Sequence, residues 1–373
     1  MSVQVLNLRL FQYRNFNRQE IEFCPGTNLF CGWNGQGKTN LLEAIYLLGY
    51  GRSFRTTTPK DCIQHGRQEC RCEGRIEHKT MIRELGISIS LAEDKQLLLH
   101  RKPVGPAEFI GNLHTLAFTQ EHLKVVRGGP AERRAFLDRA MITAYPGHMQ
   151  RLAAYGRALK QRNHLLGAAL GSGRKMDRAA LDSWDETLVQ EGSRILWNRR
   201  SYIEEMKNEI STPLGGSENL ELKYSSTAAA TDAAIQEVED EFRQGLREAH
   251  GVDERKGFTT IGPHRDDLKL LLDGRSLADF GSAGQQRSSL LALYFAQMEI
   301  HRKICGFYPV FLMDDVEAEL DNRRLHAFLE HLAQRTQTFL TTAKEQILPP
   351  LCGEALRFQV KAGQVELTGQ HKP

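Results

Sequence analysis

One glycine-rich segment limits the possible folds of this chain more than any other feature of its sequence. Residues 32–39 read Gly-Trp-Asn-Gly-Gln-Gly-Lys-Thr and fit the P-loop pattern G-x-x-x-x-G-K-[ST]. The run TNLFC at residues 27–31 predicts a strand before it, and NLLEAIYLL at residues 40–48 predicts a helix after it. Glycines let a backbone approach a phosphate, and a helix N-terminus points several N–H groups at it. The segment therefore predicts a phosphate-binding loop in an α/β fold.

The motif also predicts a role for each of its residues. Lys38 is expected to reach the β- and γ-phosphates and to take part in catalysis, and the Thr39 hydroxyl is expected to bind Mg²⁺. The alternative is a chance glycine turn before a core helix, which the flanking strand and helix together disfavour. The expected nucleotide-binding residues of the loop are Gly32, Asn34, Gly35, Gly37, Lys38, Thr39 and Asn40.

A second segment, PVFLMDD at residues 309–315, carries the acids that such a site needs. A continuous apolar run suits a strand that is buried on both faces of a parallel sheet, and ligands bind beyond the carboxyl ends of such strands. We expect Asp314 to hold Mg²⁺ through a water molecule and Asp315 to position or deprotonate the attacking water. An acidic turn without function is the alternative, which the P-loop in the same chain disfavours.

Residues 282–287 (SAGQQR) predict the start of a helix, with Ser282 as its N-cap and Gly284 permitting close backbone approach. A helix N-terminus of this kind is suited to an anion. Taken alone, the segment favours an ordinary capped helix. Its position about 27 residues before the acidic strand makes it informative, because ABC-type ATPases carry a signature helix there.

Composition places the chain among soluble globular proteins and excludes several classes. Of its 373 residues, 40% are hydrophobic and 25% are charged, which allows a sizeable buried core. The seven cysteines, Cys70 and Cys72 among them, lack zinc-finger spacing and suggest reduced thiols. The sequence offers neither an export signal nor 18 consecutive apolar residues. We therefore expect a cytoplasmic protein with no membrane partner.

The distribution of predicted elements suggests a domain with an insertion. Strand patterns dominate the first ~125 residues and return at residues 267–272, 310–313 and 337–340, while helical spacing dominates residues 130–249. We predict a split ATPase domain at residues 1–126 and 253–373, with a helical lobe at residues 127–252. Glycines and a proline interrupt the helical stretches, so sustained heptads of a long coiled coil are not expected.

Seven segments together give the chain its family resemblance. They are the P-loop with the following LLEAIYLLGYGRSFRT, RGGPAERRAFLDR at 127–139, LKQRNHLL at 159–166, LDSWDETLVQEGSRI at 181–195, TTIGPHRDDL at 259–268, GSAGQQRSSLLAL at 281–293 and PVFLMDDVEAELD at 309–321. In this combination the chain resembles the RecF family, bacterial recombinational-repair ATPases of the ABC/SMC-head class.

The resemblance implies an α/β, ABC-type (SMC-head-like) P-loop ATPase domain with an inserted helical lobe and no long coiled coil. It implies ATP and Mg²⁺ as cofactors and a homodimer that forms around ATP, with Ser282, Gly284 and Gln285 facing the nucleotide of the other subunit. Gln120 falls where such heads place a Q-loop residue beside Mg²⁺ and the attacking water, so a metal-binding and catalytic role is expected. Residues 318–321 correspond to the D-loop at the dimer interface.

Two departures from transporter-type heads suggest slow hydrolysis. Asp315 stands where those heads carry glutamate, and residues 337–342 (QTFLTT) offer threonine where they carry a switch histidine. With a shorter carboxylate and no switch histidine, we expect slow hydrolysis. Slow hydrolysis suits a protein that clamps DNA while ATP is bound better than a motor that moves with each turnover.

The predicted DNA contacts come mainly from local charge. Residues 127–181 hold eleven Arg and Lys against three acids, about +8 in a chain of net charge +3. Phosphate contacts supply most non-specific DNA affinity, so we expect binding there, by DNA structure and not by sequence. A solvated helix surface with some buried arginines is the alternative. The candidate DNA-binding residues are Arg52, Arg55, Arg133, Arg134, Arg151, Arg157 and Arg162, whereas His264 is expected to be structural or to lie at an interface.

The resemblance further implies a biological setting. It suggests repair at single-strand gaps and binding of double-stranded and gapped DNA, with RecR as a partner and RecO and RecA as indirect ones, and roles in replication and the SOS response. Two other classes compete with this interpretation: a transporter-type or translation-type ABC module without a DNA role, and a nucleotide-switched scaffold that does not hydrolyse. The basic lobe and GPHRDDL disfavour the first, and the presence of Lys38, Asp314 and Asp315 disfavours the second.

Overall fold

The computed structural model describes residues 3–78, 80–145, 147–172, 178–210, 218–228, 234–316, 322–333, 335–344 and 354–371. The chain forms two compact units. The ATPase unit comprises Met1–Leu123, Thr212–Ser217 and Ser282–Pro373, and the inserted unit comprises Lys124–Ser211 and Glu218–Gly281. Within the described residues, no helix is long and apolar enough to cross a bilayer.

Fifteen strands are described. They are β1 (Val3–Tyr13), β2 (Phe16–Glu22), β3 (Thr27–Cys31), β4 (Glu69–His78), β5 (Met81–Ser90), β6 (Gln96–Leu99), β7 (Lys102–Val104), β8 (Thr115–Phe118), β9 (Leu220–Ser225), β10 (Asp267–Leu272), β11 (Arg275–Ser276), β12 (Val310–Met313), β13 (Thr338–Thr342), β14 (Ala355–Lys361) and β15 (Gln364–His371).

Ten α-helices are described, besides 3-10 turns at Pro59–Cys62 and Gln120–Leu123. They are α1 (Lys38–Tyr50), α2 (Pro106–Phe109), α3 (Lys124–Arg127), α4 (Pro130–Ala144), α5 (His148–Ser172), α6 (Arg178–Glu209), α7 (Ile235–Lys256), α8 (Leu277–Phe280), α9 (Ala283–Cys305) and α10 (Asn322–Ala333).

The ATPase unit is built on two six-stranded sheets. One has the order β15-β14-β3-β13-β12-β8, in which all pairs from β14 to β8 are parallel. Its central strands β3, β12 and β13 are buried on both faces, as expected for a parallel sheet covered on both sides, and β12 is wholly apolar. The other sheet, β2-β1-β4-β5-β6-β7, is antiparallel throughout.

Helix α1 contacts strands of both sheets, including β4 and β13. This position explains why every residue from Leu41 to Tyr50 is buried and why Glu43 is the single charged residue among them. Gln337, 1% exposed, also ties the sheets together: its amide accepts from Val5 N (2.7 Å) and donates to Val5 O (2.9 Å) and Cys24 O (2.7 Å).

The inserted unit combines long helices with a small sheet. Helices α5, α6 and α7 pack on one another around a core that includes Tyr155, Leu188 and Phe242. The sheet has the order β11-β10-β9 and is antiparallel, with β10 pairing β9 across more than forty residues of sequence. This pairing corrects the predicted domain boundary: the inserted unit ends at Gly281 and not at residue 252, because β10 belongs with β9.

Arg162 joins the three long helices of the inserted unit from inside its core. The side chain is fully buried, and its guanidinium donates to Asp185 on α6 (2.5 Å) and to Asp253 on α7 (2.6 Å). The predicted DNA contact at Arg162 is therefore wrong, since no phosphate can reach a side chain with no exposed surface. Its position explains the error: Arg162 follows Tyr155 and Ala158 and precedes Leu166 on the buried face of α5.

Arg133 likewise has a structural partner. It makes a two-pronged ion pair with Asp267 at 2.6 and 3.0 Å, donates to Gly128 O and is mostly buried. This geometry uses most of its donors inside the unit, and the DNA contact expected of Arg133 stays a prediction. Arg134 is partly buried and donates to Asp266 O at 2.6 Å.

The residues of the motif GPHRDDL (262–268) make hydrogen bonds within the inserted unit. Pro263 O accepts from Arg199 (2.7 Å), and Asp266 accepts from the Tyr224 hydroxyl. The Tyr155 hydroxyl donates to His264 Nδ1 at 2.7 Å, while His264 Nε2 donates to Thr259 O. Burial lowers the pKa of His264 to about 4, so the ring is neutral. The contacts agree with the structural role expected for His264.

Replacing Arg162 tests the importance of this buried network. Arg162→Met leaves two carboxylates in the core without their cation, so we expect the free energy of unfolding to fall by about 3–5 kcal/mol. Denaturant unfolding followed by circular dichroism measures the change. Arg157→Met on the exposed face of α5 is the matched control and should shift stability by no more than about 0.5 kcal/mol. Equal effects at both positions would contradict the structural role.

Candidate nucleotide site

The carboxyl ends of four parallel strands define one edge of the sheet. The P-loop follows β3, Asp314 follows β12, and β13 lies between those two strands. Asp314 N donates to Phe118 O at the end of β8 (3.0 Å), and Gly32 N donates to Thr342 O at the end of β13 (3.3 Å). The two predicted halves of the site therefore meet at the edge where α/β sheets bind ligands.

The P-loop backbone requires glycine at two positions where side chains would collide. Gly37 has φ +114°, and a Cβ there would lie 2.6 Å from the side chain of Asn15. At Gly32 (φ +153°) a Cβ would lie 2.3 Å from Val360 O. Gly37 immediately precedes α1, and no side chain of the described residues caps that helix. The N–H groups of Asn40 and Leu41 donate to Gly37 O, so those of Lys38 and Thr39 are the ones at the helix start that suit a phosphate.

Lys38 is held in the centre of the loop. Its side chain is 5% exposed, and its ammonium donates to Gly32 O at 2.7 Å and Trp33 O at 3.1 Å. A compact cation surrounded by loop carbonyls is positioned to meet a phosphate that enters the same loop. The backbone positions of Asn34 and Gly35 complete the exposed rim of the loop.

Thr39, Asp314 and Thr341 form a hydroxyl–carboxylate cluster. The Thr39 hydroxyl lies 3.0 and 2.9 Å from the two oxygens of Asp314, and the Thr341 hydroxyl donates to Asp314 Oδ1 at 2.6 Å. These are oxygen groups of the kind that Mg²⁺ prefers. The Thr39 hydroxyl fits a ligand position of the ion, and the Asp314 carboxylate beside it fits the predicted contact through a water molecule.

Asp315 adopts a backbone conformation that is uncommon for residues other than glycine. Its φ is +48°, in the left-handed region, and its N–H donates to the Thr341 hydroxyl at 2.8 Å. Strain of this kind persists where surrounding contacts enforce it, and it is concentrated at functional sites. Thr341 thus fixes the directions of both acids, a role that the sequence did not indicate.

Several supporting residues around α1 were also missed. The Asn15 amide donates to Gln36 O (2.7 Å) and accepts from Asn40 (2.8 Å), so it holds the loop from outside. The Asn40 side chain also accepts from Arg55 (2.6 Å), which shows that both ends of the Asn40 amide are occupied by protein partners. The Asn40 N–H also donates to Gly37 O at 3.0 Å, so its predicted nucleotide-binding role stays a prediction.

Glu43 is a fully buried carboxylate on α1. Arg14 binds it with two bonds of 2.8 and 2.6 Å, the Ser53 hydroxyl donates to it, and Arg55 lies 3.9 Å away. A single acid in an otherwise apolar helix was the sequence signal for this ion pair. The pair connects the segment carrying Arg52 and Arg55 to the helix that starts at the P-loop.

Ser282, Gly284 and Gln285 form the N-terminus of α9. The Ser282 hydroxyl accepts from Gln285 N (3.2 Å), and Gln285 Oε1 accepts from Ser282 N (2.7 Å), which is a complete capping box. Ser282 and Gly284 are exposed, so this helix end is accessible from outside the unit. The side chain of Gln120 and residues 318–321 lie outside the described part of the structure, and the roles expected for them remain predictions.

The remaining arginines predicted to bind DNA differ in accessibility. Arg52 and Arg157 are exposed, Arg151 is half-buried, and Arg55 is 41% exposed despite its bond to Asn40. These four keep guanidinium surface available, in contrast to Arg133 and Arg162.

Comparisons with known proteins agree with this geometry. A family model described as RecF/RecN/SMC N terminal domain matches residues 4–358. The DNA replication and repair protein RecF of Alkaliphilus oremlandii (strain OhILAs) is 34% identical over 372 residues, covering 97% of this chain and 100% of that protein. RecF of Geobacillus thermodenitrificans (strain NG80-2) is 33% identical over 368 residues, covering 96% and 98%.

Solved structures give the same result for the fold. One described as the recombination mediator protein RecF-ATP in the RecFOR pathway has a TM-score of 0.90 and 28% identity, covering 99% of this chain and 98% of that chain. An Smc head domain from Pyrococcus furiosus, bound to the C-terminal domain of ScpA, has a TM-score of 0.57 and 14% identity, covering 99% and 96%. The predicted SMC-head-like fold is confirmed.

Thr341→Val tests the cluster at the sheet edge. Removing the hydroxyl takes one donor from Asp314 and the acceptor from Asp315 N, so we expect nucleoside triphosphate hydrolysis to fall about 10–100-fold. Nucleotide affinity should change much less, because the P-loop is intact. Steady-state hydrolysis and equilibrium binding measure the two effects. Thr338→Val, at the other end of β13, is the control, and a matching loss there would mean that the strand and not the cluster is responsible.

Proposed function

This chain belongs to the RecF family, and from that membership we propose that it is an ATP-dependent DNA-binding protein of recombinational repair. The observation that carries the proposal is the meeting of the P-loop with Asp314 at one sheet edge, with the Thr39 hydroxyl 2.9–3.0 Å from the carboxylate. ATP and Mg²⁺ are the proposed cofactors. The RecF structure that resembles this chain so closely is described as bound to ATP.

The residues of the site have distinct proposed roles in binding and hydrolysing ATP. The P-loop N–H groups and Lys38 bind the phosphates, and Thr39 and Asp314 hold Mg²⁺, which neutralises charge on the phosphate oxygens when bound. Asp315, with Gln120 as a further candidate, orients the water that attacks the terminal phosphate. Because the carboxylate of aspartate is one methylene shorter than that of glutamate, we propose turnover well below the enzyme median of roughly 10 s⁻¹.

We propose that ATP joins two copies of the chain. Each copy presents the capped N-terminus of α9, with Ser282 and Gly284 exposed, and an anion at such a helix end is favoured by its N–H groups. The γ-phosphate held by one copy is the proposed ligand of this helix end in the other. Hydrolysis would remove that shared ligand and so release the dimer.

The proposed cellular role is to clamp DNA near single-strand gaps and to help load the recombinase RecA. RecR is the proposed direct partner, with RecO and RecA as indirect ones, and participation in replication and the SOS response belongs to the same proposal, as does a cytoplasmic location. The description of the related RecF as a mediator in the RecFOR pathway supports this assignment.

The clamp is tested by measuring dimerisation and DNA binding in the same samples. With ATP, the protein should sediment as a dimer and shift gapped duplex DNA; with ADP it should do neither. Lys38→Met removes the cation in the loop and should abolish both responses. A dimer that forms equally with ADP, or DNA binding that ignores nucleotide, would contradict the clamp and the role of Ser282 across the interface.

Accessible arginines provide the proposed DNA surface, and salt dependence can detect them. Removing one arginine that binds a phosphate should reduce the slope of log K against log salt by about 0.9. We therefore expect Arg151→Gln with Arg157→Gln to reduce the slope by about 1–2 and to weaken binding to all duplex sequences alike. Arg247→Gln, an exposed arginine on α7, removes the same kind of charge as a control. An unchanged slope in the double variant would remove these residues from the surface.

A further inference from the structure

A group of metal-binding side chains lies in the ATPase unit away from the P-loop. His114 immediately precedes β8, and His301 and Cys305 lie on the last turns of α9. One ring nitrogen of each histidine and the Cys305 sulfur are all within 4.8 Å of one another. Both histidines are at least nine-tenths buried, and Cys305 is half-buried. Nothing in the nucleotide site uses these residues.

Backbone carbonyls determine which ring nitrogens carry hydrogen. His114 Nε2 lies 3.0 Å from Gly111 O, and His301 Nδ1 lies 2.9 Å from Phe307 O. A carbonyl oxygen only accepts, so both of these nitrogens must donate. In a neutral ring the other nitrogen then has a lone pair, and those two nitrogens, His114 Nδ1 and His301 Nε2, face each other at 2.7 Å. Two lone pairs at that distance repel unless a cation lies between them.

The surroundings of the two rings disfavour a proton as that cation. Both rings pack against Phe307, with ring centroids 5.1 Å apart in each case. Burial against an aromatic ring disfavours a charged imidazolium. The two lone pairs are therefore available to a metal ion.

We propose that His114 Nδ1, His301 Nε2 and the Cys305 thiolate bind a zinc-class transition-metal ion. Imidazole nitrogen with thiolate sulfur is a donor set that suits Zn²⁺, and each histidine already donates its other N–H to a backbone carbonyl, as metal-bound histidines do. Tetrahedral Zn²⁺ with Zn–N bonds of about 2.0–2.1 Å separates its nitrogens by about 3.3 Å, so the rings need to open by roughly 0.6 Å. The thiol releases its proton to solvent on binding.

The ion would act as a structural link. It would connect the C-terminal end of α9, the helix that begins at Ser282, to the start of β8, the edge strand of the parallel sheet. Water can supply the fourth ligand from the half-buried side at Cys305. The site does not depend on ATP or DNA, so its test is independent of the proposed function.

Cobalt titration of the tag-free, full-length chain tests the site, after dialysis against a chelator. Co²⁺ is expected to give a thiolate-to-metal charge-transfer band in the near ultraviolet that saturates at one ion per chain and disappears when Zn²⁺ is added. Cys305→Ser should abolish the band and weaken Co²⁺ binding by more than about tenfold. His326→Gln, at an exposed histidine on α10, is the control and should bind Co²⁺ like the unaltered chain.

Stability gives a second measurement that does not require a coloured ion. Zn²⁺ should raise the melting midpoint of the unaltered chain and of His326→Gln, and should leave that of Cys305→Ser unchanged. Absence of the charge-transfer band, or its persistence in Cys305→Ser, would overturn the proposal. So would an equal rise in melting midpoint in Cys305→Ser, because the ion would then be bound elsewhere.

Discussion

The carboxylate of Asp314 holds the nucleotide site together, because it accepts hydroxyl hydrogens from both Thr39 and Thr341. Those threonines belong to different elements, the helix after β3 and the strand between β3 and β12. The strand order thus places β13 where its last residues can orient the acids of β12 toward the loop of β3. The left-handed backbone of Asp315 depends on the same threonine, since its N–H is bound by Thr341.

Burial of α1 between two sheets imposes a second constraint on the site. A helix covered on all sides has a fixed position, which suits a phosphate site built at its first turn. The cost is a carboxylate, Glu43, inside the protein, and Arg14 and Ser53 compensate for it with direct bonds. Because Arg55 contacts Asn40 and lies near Glu43, the loop after α1 is mechanically connected to the P-loop.

The sequence predicted the parts of the site that follow local rules. The P-loop, its flanking strand and helix, the acids after β12 and the capped start of α9 are each contained within a short segment. It did not predict Thr341 or Asn15, because their roles arise from which strands become neighbours. The boundary of the inserted unit was wrong for the same reason, as β10 pairs with the distant strand β9. Long-range pairing leaves no trace in a local pattern.

Arg162 shows how charge counts and helical spacing give different information. Summed charge made residues 127–181 a basic patch, yet spacing placed Arg162 on the apolar face of α5, where its partners Asp185 and Asp253 lie on the facing helices. Arg133 and the motif at residues 262–268 serve the inserted unit in a similar way. A family-specific motif rich in charge is therefore no evidence of a DNA contact by itself. Arginines that lie off the buried face of their helix, such as Arg157, keep their side chains accessible to solvent.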